Sequence, residues 1–162
     1  MVVIVNYGGI MRYRIYTDGS YEKEKDIGGW SMVIADHHGL KLKSGIKRGT
    51  TNNQMELVAV LKALEYAVRK RLVNIEIVTD SMYVLNGIQK YAEVWKQNNW
   101  VGLSGELIKY RSEWEGILIM LGSLKENNFT VKFSKVKSHD GNSLNELADV
   151  KAREAIKAYK EK

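Results

Sequence analysis

Hydrophobic and polar positions alternate along RYRIYT at 12–17. Tyr13, Ile15 and Thr17 fall on one side, Arg12, Arg14 and Tyr16 on the other, and this period of two predicts a strand. GGWSMVIADHHGLKLKSGIK at 28–47 gives two extended runs parted by the turn-prone Asp36 and Gly39, so an antiparallel hairpin follows the first strand. From Asn53 to Arg71 the period lengthens. Leu57, Val60, Leu61, Leu64, Ala67 and Val68 recur at three- and four-residue spacing, which is the apolar stripe of a helix. VNIEIVT at 73–79 alternates again, and SMYVLNGI and YAEVWKQNNW predict two short helices. A further helix is expected over 105–122, a last strand over 129–135, and a last helix from Leu144 to Tyr159, striped by Leu147, Ala148, Ala152, Ala155 and Ile156.

The predicted order is three strands, helix, strand, helices, strand, helix. A hairpin followed by alternating strands and helices implies an α/β fold with a mixed sheet, because parallel pairs need crossover helices that cover the faces. No proline, repeat or low-complexity stretch interrupts the chain. One domain over 11–162 is expected, preceded by a short extension at 1–10.

Composition narrows the chemistry. The absence of cysteine among the 162 residues excludes disulfides, thiolate metal sites and a cysteine nucleophile, so any metal must take oxygen or imidazole ligands. No stretch has the form of a signal peptide or a membrane span, and the expected location is the cytoplasm with no membrane partner. The formal charge of +6, from 25 Lys and Arg against 19 Asp and Glu, leans toward a polyanionic partner. KLKSGIKR at 41–48 holds four positive charges and no negative one, and RKR closes 69–71; a solvated face explains either cluster equally well.

The carboxylates say more. Asp18 ends the first strand in YTDGS and Asp80 ends the fourth in VTDS. If the two strands are parallel neighbours, both acids emerge at the carboxyl edge where open α/β sheets bind ligands. Each also suits a turn, and Asp80 an N-cap. Glu56 lies on the flank of the helical stripe near its start, in TTNNQMEL at 50–57. A capping box from Thr51 to Gln54, or from Asn53 to Glu56, accounts for part of that stretch and leaves the remaining polar side chains unexplained. Asp149 sits beside Ala148 in the last helix, after the loop KVKSHDGNS with His139; His37 and His38 fall in the hairpin turn. Four gathered carboxylates would repel one another, and hard divalent cations would compensate them: two such ions about 4 Å apart clamp the attacking and leaving oxygens of a phosphodiester.

IYTDGS, GGW, TTNNQMEL, VTDS, WKQNNW and VKSHDGNSLNELAD, in this order and spacing, resemble type 1 ribonuclease H of the bacterial single-domain kind, over about 12–158. The resemblance implies a five-stranded mixed sheet flanked by helices on both faces, and endonucleolytic cleavage of the RNA strand of RNA–DNA hybrids with Mg2+, or Mn2+ in its place. Asp18, Glu56, Asp80 and Asp149 match the family's metal-binding carboxylates and His139 its mobile loop histidine. Asn52 and Asn53 match side chains that read the minor groove beside the 2′-hydroxyl, and Thr51 a residue of the pocket gripping a DNA phosphate. Gln54 is similar to a position that is often basic. Trp95 and Trp100, with Lys90, Lys96 and Tyr91, resemble the handle that tracks the DNA strand. Tyr110 stands where the family often has an asparagine, YEKEKDIGGW follows Asp18 where relatives are rich in glycine and proline, and the handle is less basic than in many relatives.

The implied mechanism is two-metal hydrolysis to 5′-phosphate and 3′-hydroxyl ends. Asp18 would bridge both ions, with Glu56 and Asp80 on one and Asp149 on the other. The expected enzyme acts as a monomer on RNA–DNA hybrid, without an obligatory protein partner. The alternatives are a catalytically weak hybrid-binding module and another metal-dependent nuclease of the same superfamily.

Overall fold

One long strand organises the sheet. β2 (Ile10–Glu22) pairs antiparallel with β3 (Ile27–Asp36) on one side and parallel with β5 (Asn74–Thr79) on the other. β4 (Gly39–Arg48) extends the hairpin antiparallel to β3, and β6 (Thr130–Lys135) lies parallel to β5, giving the order β4-β3-β2-β5-β6. The computed structural model describes residues 5–7, 10–36, 38–136 and 143–159. Within the stretch read as an extension, β1 (Val5–Tyr7) pairs with the start of β2, Val5 opposite Arg12.

Both faces of the sheet are covered, because successive β2 side chains point to opposite sides. Ile15 packs with Met32, Ile34, Ile75 and Ile77 beneath α1 (Asn52–Lys70) and α4 (Arg111–Glu126), while Tyr16 joins Val33 and Val78 against Leu144 and Ala148 of α5 (Ser143–Ala158). α1 starts where Thr51, extended at φ −138°, accepts the Gln54 N–H at 3.1 Å. This is an ordinary Thr N-cap satisfying one of the free first-turn donors. It ends at Arg71, whose left-handed φ of 54° turns its N–H back onto the last carbonyls.

Three elements differ from the pattern-based expectation. β2 continues past Thr17 to Glu22, because β3 remains its partner after β5 has ended; the small and polar residues of DGSYE show no apolar alternation. The two short helices between 81 and 100 form one continuous run. α2 (Met82–Asn86) passes through a π-helical turn, Gly87–Tyr91, into α3 (Ala92–Gln97). Gly87 sits where a Cβ would lie 2.0 Å from the Trp114 ring, so the helix approaches that ring only because the residue has no side chain. The helix expected from 105 begins at Arg111. Leu103 and Leu107 have helical spacing but are 103% and 79% exposed, in a loop held by a Val101–Leu107 bridge and entering α4 through left-handed Tyr110.

Candidate active site

The parallel pairing of β2 with β5 runs from Tyr13 opposite Ile75 to Tyr16 opposite Val78. Two residues further along each strand stand Asp18 and Asp80, so the register sets them side by side. Asp80 is exposed and is not the cap of α2. Ser81 is, its hydroxyl accepting the Val84 N–H at 3.2 Å.

Glu56 comes down on the pair from the second turn of α1. Its Oε1 accepts the backbone N–H of Gly19 at 3.0 Å, while Oε2 is buried without a hydrogen-bond partner. The approach depends on Gly19, where a Cβ would fall 2.5 Å from the Glu56 nitrogen and from the Met55 carbonyl carbon. One carboxylate oxygen from each of Asp18, Glu56 and Asp80 lies within 4.8 Å of the others.

Asp149 enters the same cleft from α5. That helix is drawn onto the sheet by small residues of β3: the Ser31 hydroxyl donates to the Ala148 carbonyl, and at Gly29 a Cβ would lie 2.1 Å from the Ala152 carbonyl oxygen. Asp149 is half exposed and pairs with Arg153 at 3.1 Å, so it stands at the rim while the other three acids converge. The cleft, of about 570 Å3, is lined also by Asn52, Asn53, Tyr83, Asn145 and Glu146.

Electrostatics mark the cluster as incomplete by itself. Burial, followed by the neighbouring charges of Asp80 and Asp149, raises the Asp18 carboxyl, although the adjacent Glu56 carboxyl opposes the shift. Burial and the charge of Asp18 raise Glu56 further, against the Gly19 N–H that favours its anion. Without a counter-charge, burial and mutual repulsion therefore drive the pair toward its protonated form. A divalent cation would supply the missing positive charge, and its oxygen-ligand preference fits this donor set and the unpartnered Glu56 Oε2.

Around the cleft, Thr51 and Tyr110 share a hydroxyl–hydroxyl hydrogen bond of 2.6 Å. Gln54 does not reach back to close a capping box. It accepts from the Thr50 hydroxyl at 2.9 Å and donates to Glu113 of α4 at 2.9 Å. Asn52 and Asn53 are exposed on the first turn of α1. In the handle, Tyr91 stacks on Trp95 at 5.6 Å, and Trp95 meets buried Trp114 edge-on at 5.5 Å. Lys90 and Lys96 are exposed. Trp100 is 4% exposed, with the Arg111 guanidinium 5.8 Å from its ring centre, so it braces the handle from inside and Tyr91 and Trp95 form its outer surface. His139 lies outside the described residues.

Pattern reading missed Gly19, which looks like a turn residue, and Glu146, one of several polar positions in the last helix. Gln54's tie to Glu113 spans 59 residues and has no local signature.

The sequence model of the RNase H family matches residues 11–157. The chain belongs to the ribonuclease H family. It is 39% identical over 148 residues to ribonuclease H of Bartonella bacilliformis, covering 91% of this chain and 90% of that protein. To ribonuclease H of Francisella philomiragia it is 39% identical over 141 residues, covering 87% and 88%. A crystal structure of LC9-RNase H1, described as a type 1 RNase H with the type 2 active-site motif, superposes with a TM-score of 0.71 at 25% identity, over 89% of this chain and 71% of that one. The solution structure of the PFV RNase H domain, 24% identical with a TM-score of 0.72 over 88% and 93% of the two chains, shares the fold. This ribonuclease H is thus an enzyme of a metal-dependent nuclease family, with the acid cluster on the sheet edge where its register predicts it. Among the described residues, no helix is long and apolar enough to cross a membrane.

Proposed function

We infer that this ribonuclease H cuts the RNA strand of RNA–DNA hybrids internally, leaving 5′-phosphate and 3′-hydroxyl ends, with Mg2+ as its working ion and Mn2+ as a substitute. The observation that carries the reading is the convergence of Asp18, Glu56 and Asp80 within 4.8 Å, with one buried Glu56 oxygen left without a hydrogen-bond donor. Asp18, Glu56 and Asp80, with Asp149 at the rim, would hold the ions. When bound, two such ions supply an activated water and stabilise the departing oxygen.

The protein's own groups do the rest. The Gly19 N–H holds one Glu56 oxygen and so turns the other toward the cluster. Asn52 and Asn53 offer amide donors and acceptors at the cleft edge, where a 2′-hydroxyl separates RNA from DNA. The Thr51–Tyr110 hydroxyl pair suits a DNA phosphate, a contact that positions the duplex without reading sequence. Tyr91 and Trp95 present an aromatic surface to the DNA strand, and His139 serves proton movement or product release. The proposal is completed by action as a cytoplasmic monomer.

The test is cleavage of an end-labelled RNA strand, presented single, in RNA duplex and in hybrid with DNA, with Mg2+ or EDTA, for the intact protein and Asp18→Asn. Cutting confined to the hybrid, dependent on metal and lost in the variant, is the expected result. Equal cutting of the single or duplex RNA, or activity surviving in the variant, would overturn it.

A further inference from the structure

The cationic stretch at 41–48 takes no part in the site just described. β4 is the edge strand of the sheet, and its side chains alternate between faces. Trp30 and Gly45 are paired across β3 and β4, and a Cβ on Gly45 would meet the Trp30 ring at 2.6 Å. Gly45 therefore faces α1 with that ring, and by alternation Lys41, Lys43 and Lys47 share this face. α1 adds Lys62 and Arg69 along one line of its surface. Lys62 lies 5.8 Å from the centre of the Trp30 ring, while Lys43 and Arg69 lie 5.1 and 5.6 Å from that of Tyr66.

These cations are held in place by ring contacts and outnumber the acids beside them. Among the described residues, no ion pair joins Lys43, Lys47, Lys62 or Arg69 to a carboxylate, and Glu65, one turn from both Lys62 and Arg69, is the acid on their line of α1; Lys41 pairs with Asp36 at 3.7 Å. Ring faces orient a cation without cancelling its charge. The row also has a direction. Both β2 and β4 run antiparallel to β3, so the Lys47 end lies at the active-site edge, where Gly28, paired with Lys47, packs on Thr50. The Lys41 end lies about 20 Å away down the strand, beside the C-terminal half of α1.

Resting on the hybrid-cleavage reading above, we propose that this face is a backbone track for single-stranded nucleic acid leaving the bound hybrid, engaged by Lys43, Lys47, Lys62 and Arg69. The track descends the side of the sheet away from the cleft. A duplex is too stiff to follow such a turn within a few base pairs, since its persistence length is about 150 bp; a single strand follows it readily. Because the protein's own cations already cover Trp30 and Tyr66, no ring is free for base stacking, and the contact is with phosphates and independent of sequence.

The test compares a blunt 12-base-pair hybrid with the same hybrid carrying a 12-nucleotide single-stranded extension, for the intact protein and a Lys43→Gln/Lys62→Gln/Arg69→Gln variant. Binding is measured in EDTA across a salt series, and cleavage in Mg2+. The intact protein should bind the extended hybrid about tenfold more tightly than the blunt one at low salt, and the variant should lose that gain with a salt slope shallower by about 2. Cleavage of the blunt hybrid should be unchanged by the variant, and Lys43→Arg/Lys62→Arg should behave as the intact protein. No gain from the extension, or an equal loss on both substrates, overturns the proposal. Aggregation of the triple variant without any change in nucleic-acid binding would instead assign the lysines to protection of the sheet edge. Displacement of poly-glutamate but not of oligonucleotide would assign the face to an acidic protein partner, and overturns it as well. Failure of the intact protein to cut the blunt hybrid would refute the hybrid-cleavage reading separately.

Discussion

The backbone N–H of Gly19 and the Oε1 of Glu56 meet at 3.0 Å, joining the sheet to the first helix at the level of the acid cluster. The bond fixes which Glu56 oxygen is spoken for and leaves the other for the cluster. Gly19→Ala should therefore strike fold and site together. A methyl placed 2.5 Å from two α1 backbone atoms must push the helix away, and overpacking of this kind costs about 1–3 kcal/mol. Urea denaturation should show that loss, and isothermal titration should show weakened Mg2+ binding even in the folded fraction. A fully stable variant with intact metal affinity would mean that the helix does not need this approach.

Asp18 and Glu56 predict an unusual pH dependence for the metal-free protein. Burial pushes the Asp18 carboxyl up to about 7 and raises Glu56 as well. The folded state thus holds protons that the unfolded chain releases near pH 4, so the stability tied to these groups is complete below about pH 4 and is lost as pH rises through about 7 and beyond. Thermal melts in EDTA should fall across that window and recover with Mg2+. Glu56→Gln should flatten the fall and raise metal-free stability at pH 8 by roughly 1–2 kcal/mol, since a neutral amide takes up no proton on folding, while abolishing cleavage. A less stable Glu56→Gln would refute the assignment.

Asp80, on the exposed side of the same cluster, separates chemistry from stability. Asp80→Asn should leave the free energy of unfolding within about 0.5 kcal/mol of the original, as surface substitutions usually do. Its metal-dependent cleavage of hybrid should fall by two orders of magnitude or more.

The Thr51–Tyr110 hydroxyl pair predicts a change in affinity rather than in rate. Tyr110→Phe removes a 2.6 Å hydrogen bond from the rim, about 0.5–1.5 kcal/mol. KM for hybrid should rise several-fold with kcat nearly constant. An equal fall in kcat would place Tyr110 closer to the reacting phosphate than the DNA-strand side.

Trp114 supports the handle from below, fully buried and in ring contact with Tyr83 and Trp95. Trp114→Ala should cost about 3–5 kcal/mol and loosen Trp95, visible as faster hydrogen exchange over residues 82–97 and weaker hybrid binding.

How far the residues alone reach is clearest at the acids. The alternation through Ile15 and Ile77, the stripe from Leu57 to Val68, and TDS at the end of β5 were legible because each expresses a local period or a local turn preference, whereas TDG, expected to end the first strand, lies within β2. They sufficed to name Asp18, Glu56, Asp80 and Asp149 as candidates. Apolar spacing misled where local and tertiary preference conflict: Leu107 falls in the expected helix but lies in solvent, and the break expected near residue 90 is a π-helical turn set by the Trp114 ring against Gly87.

The chain by itself determined most element types, the mixed α/β class and which acids stand as candidates, because those depend on side-chain periodicity and chemistry within a few residues. Only the tertiary structure decided that Glu56 leaves one buried oxygen without a donor, that Asp149 stands at the rim, that Trp100 is buried, and that the lysines of β4 align with Lys62 and Arg69. Those facts depend on strand register and on how closely a helix approaches a glycine, which are settled by contacts between residues far apart in the chain.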